Sequence, residues 1–261
     1  MKARKILLCI GSAGQYYSVM RKVIFITILA LALIPTTVLS QKVKVSKQFP
    51  VYDNGGKPDL VVDPARFVAS MQIVDRNFSE GNCAIEAGFV GGAGTRRLLR
   101  FDTVVMNSGN GDLVAGDRSD ANNAHAEQFE VAPCYGHNQI RGFSNYELLN
   151  TERTVVVTGH KQGASFGDSL KFDGGDSNNY NLGNQGITSG WAAWYYRKQA
   201  GQWIDITGVS EGDYILRVTV NADGAFDEGQ NRYTDSVETS IHIPDPHKKV
   251  KVDNSPDVFE K

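Results

Sequence analysis

The chain carries no excess of charge of either sign. Its 27 Lys and Arg residues against 29 Asp and Glu leave a formal net charge of −2 over 261 residues. Grip on nucleic-acid phosphates needs a basic surface, so this balance argues against nucleic acid as a partner. Long apolar runs are missing as well. Val23 to Ile34 is about a dozen residues, whereas a membrane-spanning helix needs about 20. Cysteine is scarce, with three residues. Neither internal repeats nor sustained helical periodicity is present, which argues against a helical architecture.

The N-terminus reads as a targeting segment. Arg21-Lys22 precede the apolar run, Pro35 breaks it, and Val38-Leu39-Ser40 offers small residues before Gln41. That order is the one a secretory signal has, so residues 20–40 are expected to be a signal peptide. An uncleaved anchor is the competing reading. Residues 1–19 then lie upstream of Met20 as a mis-called start, unless Lys2 to Ile10 is itself a leader. Export would end outside the cell or in the periplasm or cell envelope. With Cys9 in the leader, the mature chain keeps Cys83 and Cys134. These form either one disulfide or two buried thiols.

Past a linker over 41–57, strand signals dominate a domain over 58–245: short runs of Val, Ile, Phe and Leu broken by Gly, Asn and Asp. The run Arg97 to Val105 reads as one strand. Leu113-Val114, Phe143 to Leu149, Thr154 to Thr158, Gln202 to Ile206, Tyr214 to Val220 and Val237 to Ile243 are further candidates. Residues 64–72 alone hint at a helix or extended arm. Residues 168–186 form a long Gly-, Asn- and Asp-rich loop, and loops of that length are usually functional or disordered. A polar tail over 246–261 is expected to be disordered. The pattern predicts a mainly β fold, an antiparallel β-sandwich with long loops.

Ordered blocks over 58–245 resemble the lysyl oxidase family. They are Pro58 to Val62, Gly94 to Thr103, Asn110 to Leu113, Cys134 to Leu149, Gly159-His160-Lys161, Gln185 to Thr188, Gln202 to Val209 and Tyr233-Thr234-Asp235. Gly201 to Val209 running into Asp213 to Asn221 resembles that family's C-terminal hairpin. The resemblance implies oxidative deamination of primary amines, peptidyl lysine included, to aldehydes with release of peroxide and ammonia. It also implies copper(II) and a lysine tyrosylquinone built from the chain itself. Lys161 matches the cofactor lysine and Tyr195 the cofactor tyrosine. As bare residues, Lys161 is a surface lysine and Tyr195 an aromatic packing residue in a loop. Tyr196 stands where a glycine is usual, so a register one residue on competes with Tyr195.

The metal motif departs from the family. Its pattern is Cys followed by His-x-His-x-His and then Phe, because strand side chains at i, i+2 and i+4 face one side and converge on one ion. Here Cys134 and Phe143 fix the register, and the three positions hold Tyr135, His137 and Gln139. Imidazole suits copper(II); a phenol ordinarily ionises near pH 10, and an amide is neutral. His125 or His160 would have to substitute. Asp205, a polar residue inside a strand pattern, is a candidate for orienting an amine or acting as a base, or else simply faces solvent. A nucleophilic Cys134 beside His137 is the weaker idea, since Cys134 can pair with Cys83.

Two functions follow from the resemblance. One is a secreted copper- and quinone-dependent amine oxidase, impaired in this copy. The other is a non-catalytic secreted binding or structural module that has lost copper. A membrane span after signal cleavage is expected in neither.

Overall fold

The computed structural model describes residues 48–132, 134–159, 163–253 and 255, all within one compact unit, Lys44–Lys261. The expectations for residues 1–47, and those for His160 and Lys161, lie outside the described residues.

β1 (Leu60–Val62) leads through Asp63 into helix α1 (Pro64–Ser70). Pro64 supplies a preset φ at the first turn, and the Asp63 carboxylate accepts the N–H groups of Ala65 and Arg66, so the helix starts on a capped end. β2 (Gln72–Phe78), a short helix α2 (Cys83–Glu86), β3 (Gly94–Arg100), β4 (Thr103–Asn107) and β5 (Leu113–Gly116) follow. Next come β6 (Phe129–Val131), β7 (Asn138–Ile140), β8 (Ser144–Leu149), β9 (Val155–Thr158), β10 (Leu170–Lys171), β11 (Gln185–Ile187) and β12 (Trp191–Tyr195). β13 (Trp203–Asp205), β14 (Gly212–Val220), β15 (Ser236–Ile243) and β16 (Lys251–Val252) complete the chain.

The fold is mainly β, as expected. Three four-stranded sheets run β1-β4-β12-β10, β13-β3-β2-β16 and β15-β14-β8-β9, with two-stranded ribbons β11-β5 and β6-β7. Among the described residues the strands pair antiparallel except β16 on β2, and an isolated bridge from Tyr52 to Gly109 is also parallel. β14 shows why these residues make strands. Leu216, Val218 and Val220 are buried in the core, while Arg217 between them reaches Glu147 of β8 at 2.7 Å, the period-two alternation of a half-buried strand. β4 lies between β1 and β12 and is buried throughout, which its Val104-Val105-Met106 run allows.

Five expectations are corrected. The run Arg97 to Val105 is two strands in two sheets, split at Phe101-Asp102. The Asp102 carboxylate there accepts Trp194 Nε1–H at 3.2 Å and the Arg197 N–H at 2.8 Å, and so serves the exit of β12 rather than a ladder. β13 and β14 are not a hairpin, because β13 pairs with β3 and β14 with β8 and β15. The described part of the linker packs down instead of hanging free. Asn54 Nδ2 donates to Pro58 O and Glu228 O, at 2.8 and 2.7 Å. A Cβ at Gly111 would come within 2.0 Å of Gly56 O, so glycine there admits the strap. The tail to Asp253 is likewise held: Arg97 donates to Asp245 O and Lys248 O, and Arg100 meets Asp253 at 2.7 Å. Residues 191–196 are not a loop throughout, since Trp191–Tyr195 forms strand β12.

Under the strap lies an acidic cluster that composition does not reveal. Glu228 accepts the Leu60 N–H and an Asn221 amide, each at 2.5 Å. Its burial, then the neighbouring Asp235 carboxylate among the groups that raise it, moves its pKa from 4.5 to about 7, and burial moves Asp235 to about 6. The sign follows from proton linkage. Between 4.5 and about 7 the folded chain keeps a proton on Glu228 that the unfolded chain has released, so this site's contribution to stability declines as pH rises through that window. We expect the urea midpoint of Glu228→Gln to fall less over that window than that of the parent chain. Parallel slopes in the two proteins would show that Glu228 titrates normally.

Candidate functional site

The ribbon β6-β7 encloses a tight turn at 132–137. The Ala132 N–H donates to His137 O at 2.8 Å and the Gly136 N–H to Ala132 O at 3.0 Å. The turn needs left-handed backbone at two points, Cys134 (φ 64°) and Gly136 (φ 71°). Glycine takes that conformation without penalty, whereas a residue with a Cβ holds it only where its surroundings enforce it. Cys134 is joined to Cys83 of α2 by a disulfide across 51 residues of sequence, so no free thiol stands beside His137.

This geometry corrects the idea of three alternating strand positions. Only Asn138–Ile140 is strand, and Tyr135 belongs to the turn. The three side chains nevertheless share one cavity. Tyr135, His137 and Gln139 all line one cavity of about 480 Å³, and Tyr195 from the end of β12 lines it too. The Tyr135 ring stacks on Phe89 with centroids 5.8 Å apart, and lies 6.3 Å from the His137 ring. Gln139 Nε2 donates to Glu130 Oε1 at 2.8 Å. A Cβ at Gly163 would fall 2.3 Å from that nitrogen, so a larger residue there would displace the Gln139 side chain.

Tyr195 pairs with Thr103 of β4 and is 7% exposed, whereas Tyr196 is 42% exposed. The Tyr195 hydroxyl donates to Ser165 O at 3.0 Å. Burial foremost, with Tyr146 close by, holds its pKa well above the usual phenol value. Asp168 organises another part of the lining. Its carboxylate accepts the N–H groups of Asn179, Tyr180 and Thr188 and the Thr188 hydroxyl, between 2.6 and 3.2 Å. The loop at 168–186 is thereby fixed, with Tyr180 and Leu182 in the cavity lining. Burial, then the Asp112 carboxylate, pushes the Tyr180 hydroxyl up to about 12.

Other candidates stand elsewhere. Asp205 accepts the Gly91 N–H at 3.0 Å and both the N–H and hydroxyl of Thr207. It closes a turn and is not among the described residues of the lining. His125 meets Gln128 Oε1 at 2.9 Å and packs its ring on Phe226, so it does not supply a missing ligand at the cavity. Phe89 and Asp168 were not anticipated. Asp168 carries a turn-forming signature, an Asp opening a Gly- and Asn-rich loop, but nothing in the sequence says which N–H groups it will gather.

The lysyl oxidase family model matches residues 58–241. The chain belongs to the lysyl oxidase family. It is 31% identical over 192 residues to lysyl oxidase homolog 2 of Homo sapiens, an overlap taking in 69% of this chain and 24% of that protein. It is 30% identical over 191 residues to lysyl oxidase homolog 2B of Danio rerio, covering 69% of this chain and 24% of the relative. Against lysyl oxidase homolog 2 of Mus musculus it is 32% identical over 176 residues, covering 63% and 22%. The chain thus spans about a quarter of the length of these relatives, and the resemblance read from its blocks is borne out.

A lysyl oxidase copper centre of three imidazoles does not fit the donor set. Among the described residues no three His, Cys, Asp or Glu side chains cluster around a common point for a metal ion. One imidazole, one phenol and an amide already bonded to Glu130 stand at the three positions. Among the described residues no helix is long and apolar enough to cross a membrane.

Proposed function

We propose that the protein is a secreted lysyl oxidase-family domain whose cavity accepts primary amines and whose copper- and quinone-dependent oxidation is impaired in this copy. The amines are lysine side chains of proteins or small primary amines. The carrying observation is the convergence of Tyr135, His137, Gln139 and Tyr195 on one cavity with a single imidazole among them. The cavity and its single imidazole support this reading, because an amine has room to enter while the three imidazoles for a tight cupric ion are lacking. Lys161 and Tyr195 are the proposed quinone pair should the cofactor form, and that group supplies the electron sink for amine oxidation in the family. This chain's own residues do the rest. Tyr195 is held through Ser165 O, Asp168 fixes the loop that lines the cavity, and Phe89 and Tyr135 form an aromatic wall on one side.

The test is to express residues 41–261 with copper, measure bound metal, and stain for quinone by redox cycling and phenylhydrazine. We expect sub-stoichiometric copper and little or no quinone, with primary amines still binding. One copper per chain together with a phenylhydrazine adduct would establish a working amine oxidase instead.

A further inference from the structure

We propose that the cavity selects amines that carry an aromatic ring, and that Phe89 and Tyr135 are the residues that select. This rests on the reading of the cavity as an amine site and adds which amines it prefers. Tyr135 occupies a position where the family pattern has an imidazole, and its ring lies within 16° of parallel to that of Phe89. Both rings line the cavity, and they are 9% and 8% exposed.

The pair is also held in advance of binding. The Phe89 N–H donates to Ala84 O at 2.7 Å, and Phe89 O accepts Trp203 Nε1–H at 3.0 Å. The segment bearing Tyr135 is tied to α2 through Cys83–Cys134. Rigid aromatic faces lose little freedom when a flat ring stacks on them, so the contact is realised nearly in full. Trp194 and Tyr196, centroids 3.9 Å apart, add a second aromatic pair to the lining.

Charge sets the sign of the ligand. Asp168 is the carboxylate among the described lining residues, and the aromatic faces favour an ammonium over an anion through their negative quadrupole. A volume of about 480 Å³ lies in the range of small-molecule sites and accommodates a phenyl ring with a short aminoalkyl arm.

The experiment is titration calorimetry on the metal-free mature chain with 2-phenylethylamine, its saturated isostere 2-cyclohexylethylamine, and 3-phenylpropionate. The two amines match in charge and carbon count, so their ratio reads the aromatic contact alone. We expect the aromatic amine to bind about fivefold tighter, the size of one favourable ring–ring contact, and the anion to bind more weakly than either amine. Tyr135→Leu and Phe89→Leu keep apolar bulk and should each bring the ratio close to one, with the cyclohexyl amine little changed. Thermal melts confirm that each variant is folded, and either variant alone suffices. Equal binding of the two amines by the parent chain overturns the proposal while leaving the amine site standing. A preference that survives both substitutions overturns the assignment to this wall. Failure of both amines to bind removes the amine site itself, and this selectivity with it.

Discussion

Replacing Tyr135 and Gln139 together by histidine is expected to raise copper(II) affinity by more than about 100-fold, because loss of even an outer-shell partner shifts metal affinity by roughly 10–100-fold. Tyr135, His137 and Gln139 line the same cavity. What they lack is donor chemistry. An imidazole is neutral and available at pH 7, whereas a phenol must surrender a proton that it ordinarily holds to about pH 10, and an amide carbonyl is a weak donor for copper(II). Glu130 strengthens the case. It now accepts from Gln139 at 2.8 Å, and with an imidazole at that position it is placed to take the ring's second N–H, which fixes the tautomer and raises ligand basicity. The single substitutions should each recover only part of the gain, since two imidazoles do not enclose the ion. Equilibrium dialysis gives the affinity, and nitrogen hyperfine structure in the electron paramagnetic spectrum counts the imidazoles. An affinity unmoved in the double variant would mean that these are not the ligand positions, and the account of a disabled copper centre would fall with it.

What the sequence discloses depends on how local the physics is. The alternation in Tyr214 to Val220 specifies a strand with Leu216 and Val218 inward, and the structure has it so. Asp63-Pro64 marks a helix start because capping and a fixed φ act within three residues. The split of Arg97 to Val105 is invisible in the run itself. It is imposed by Trp194 and Arg197, almost a hundred residues on, which draw the Asp102 carboxylate. β13 and β14 sit close in sequence and carry a glycine between them, yet β13 pairs with β3 and β14 with β8 and β15. Propensity says that a segment will be a strand and leaves its neighbour to tertiary packing. At the site, the resemblance to the lysyl oxidase motif, with Cys134 and Phe143 fixing its register, is what points to positions 135, 137 and 139. The turn that carries Tyr135 instead of a straight strand follows from left-handed backbone at Cys134 and Gly136. Phe89 is legible only as one more apolar residue, since its role comes from Tyr135 and Trp203, which meet it from distant parts of the chain.

Trp203→Ala is expected to cost about 3–5 kcal/mol of folding free energy, the range for truncating a buried large aromatic. Trp203 is 1% exposed and joins three parts of the fold. Its ring lies 6.1 Å from that of Phe78 on β2, Arg100 of β3 sits 4.9 Å over its face, and Nε1 donates to Phe89 O. Truncation opens a void at that junction, strips the guanidinium of its aromatic partner, and leaves the Phe89 carbonyl without its indole donor. Leaving a buried acceptor unpaired costs about 1–3 kcal/mol by itself, so Trp203→Phe, which keeps most of the apolar volume, should lose about that much and less than the alanine variant. Urea unfolding reads both as a lower midpoint at unchanged slope, since the surface exposed on unfolding hardly alters. The effect reaches the cavity through Phe89, whose carbonyl is the anchored end of the Phe89–Tyr135 wall. The phenyl preference of Trp203→Phe should therefore weaken alongside its stability, because both draw on the same hydrogen bond. A Trp203→Phe protein that keeps the full preference while losing stability would show that the wall is positioned by α2 and the Cys83–Cys134 bridge alone.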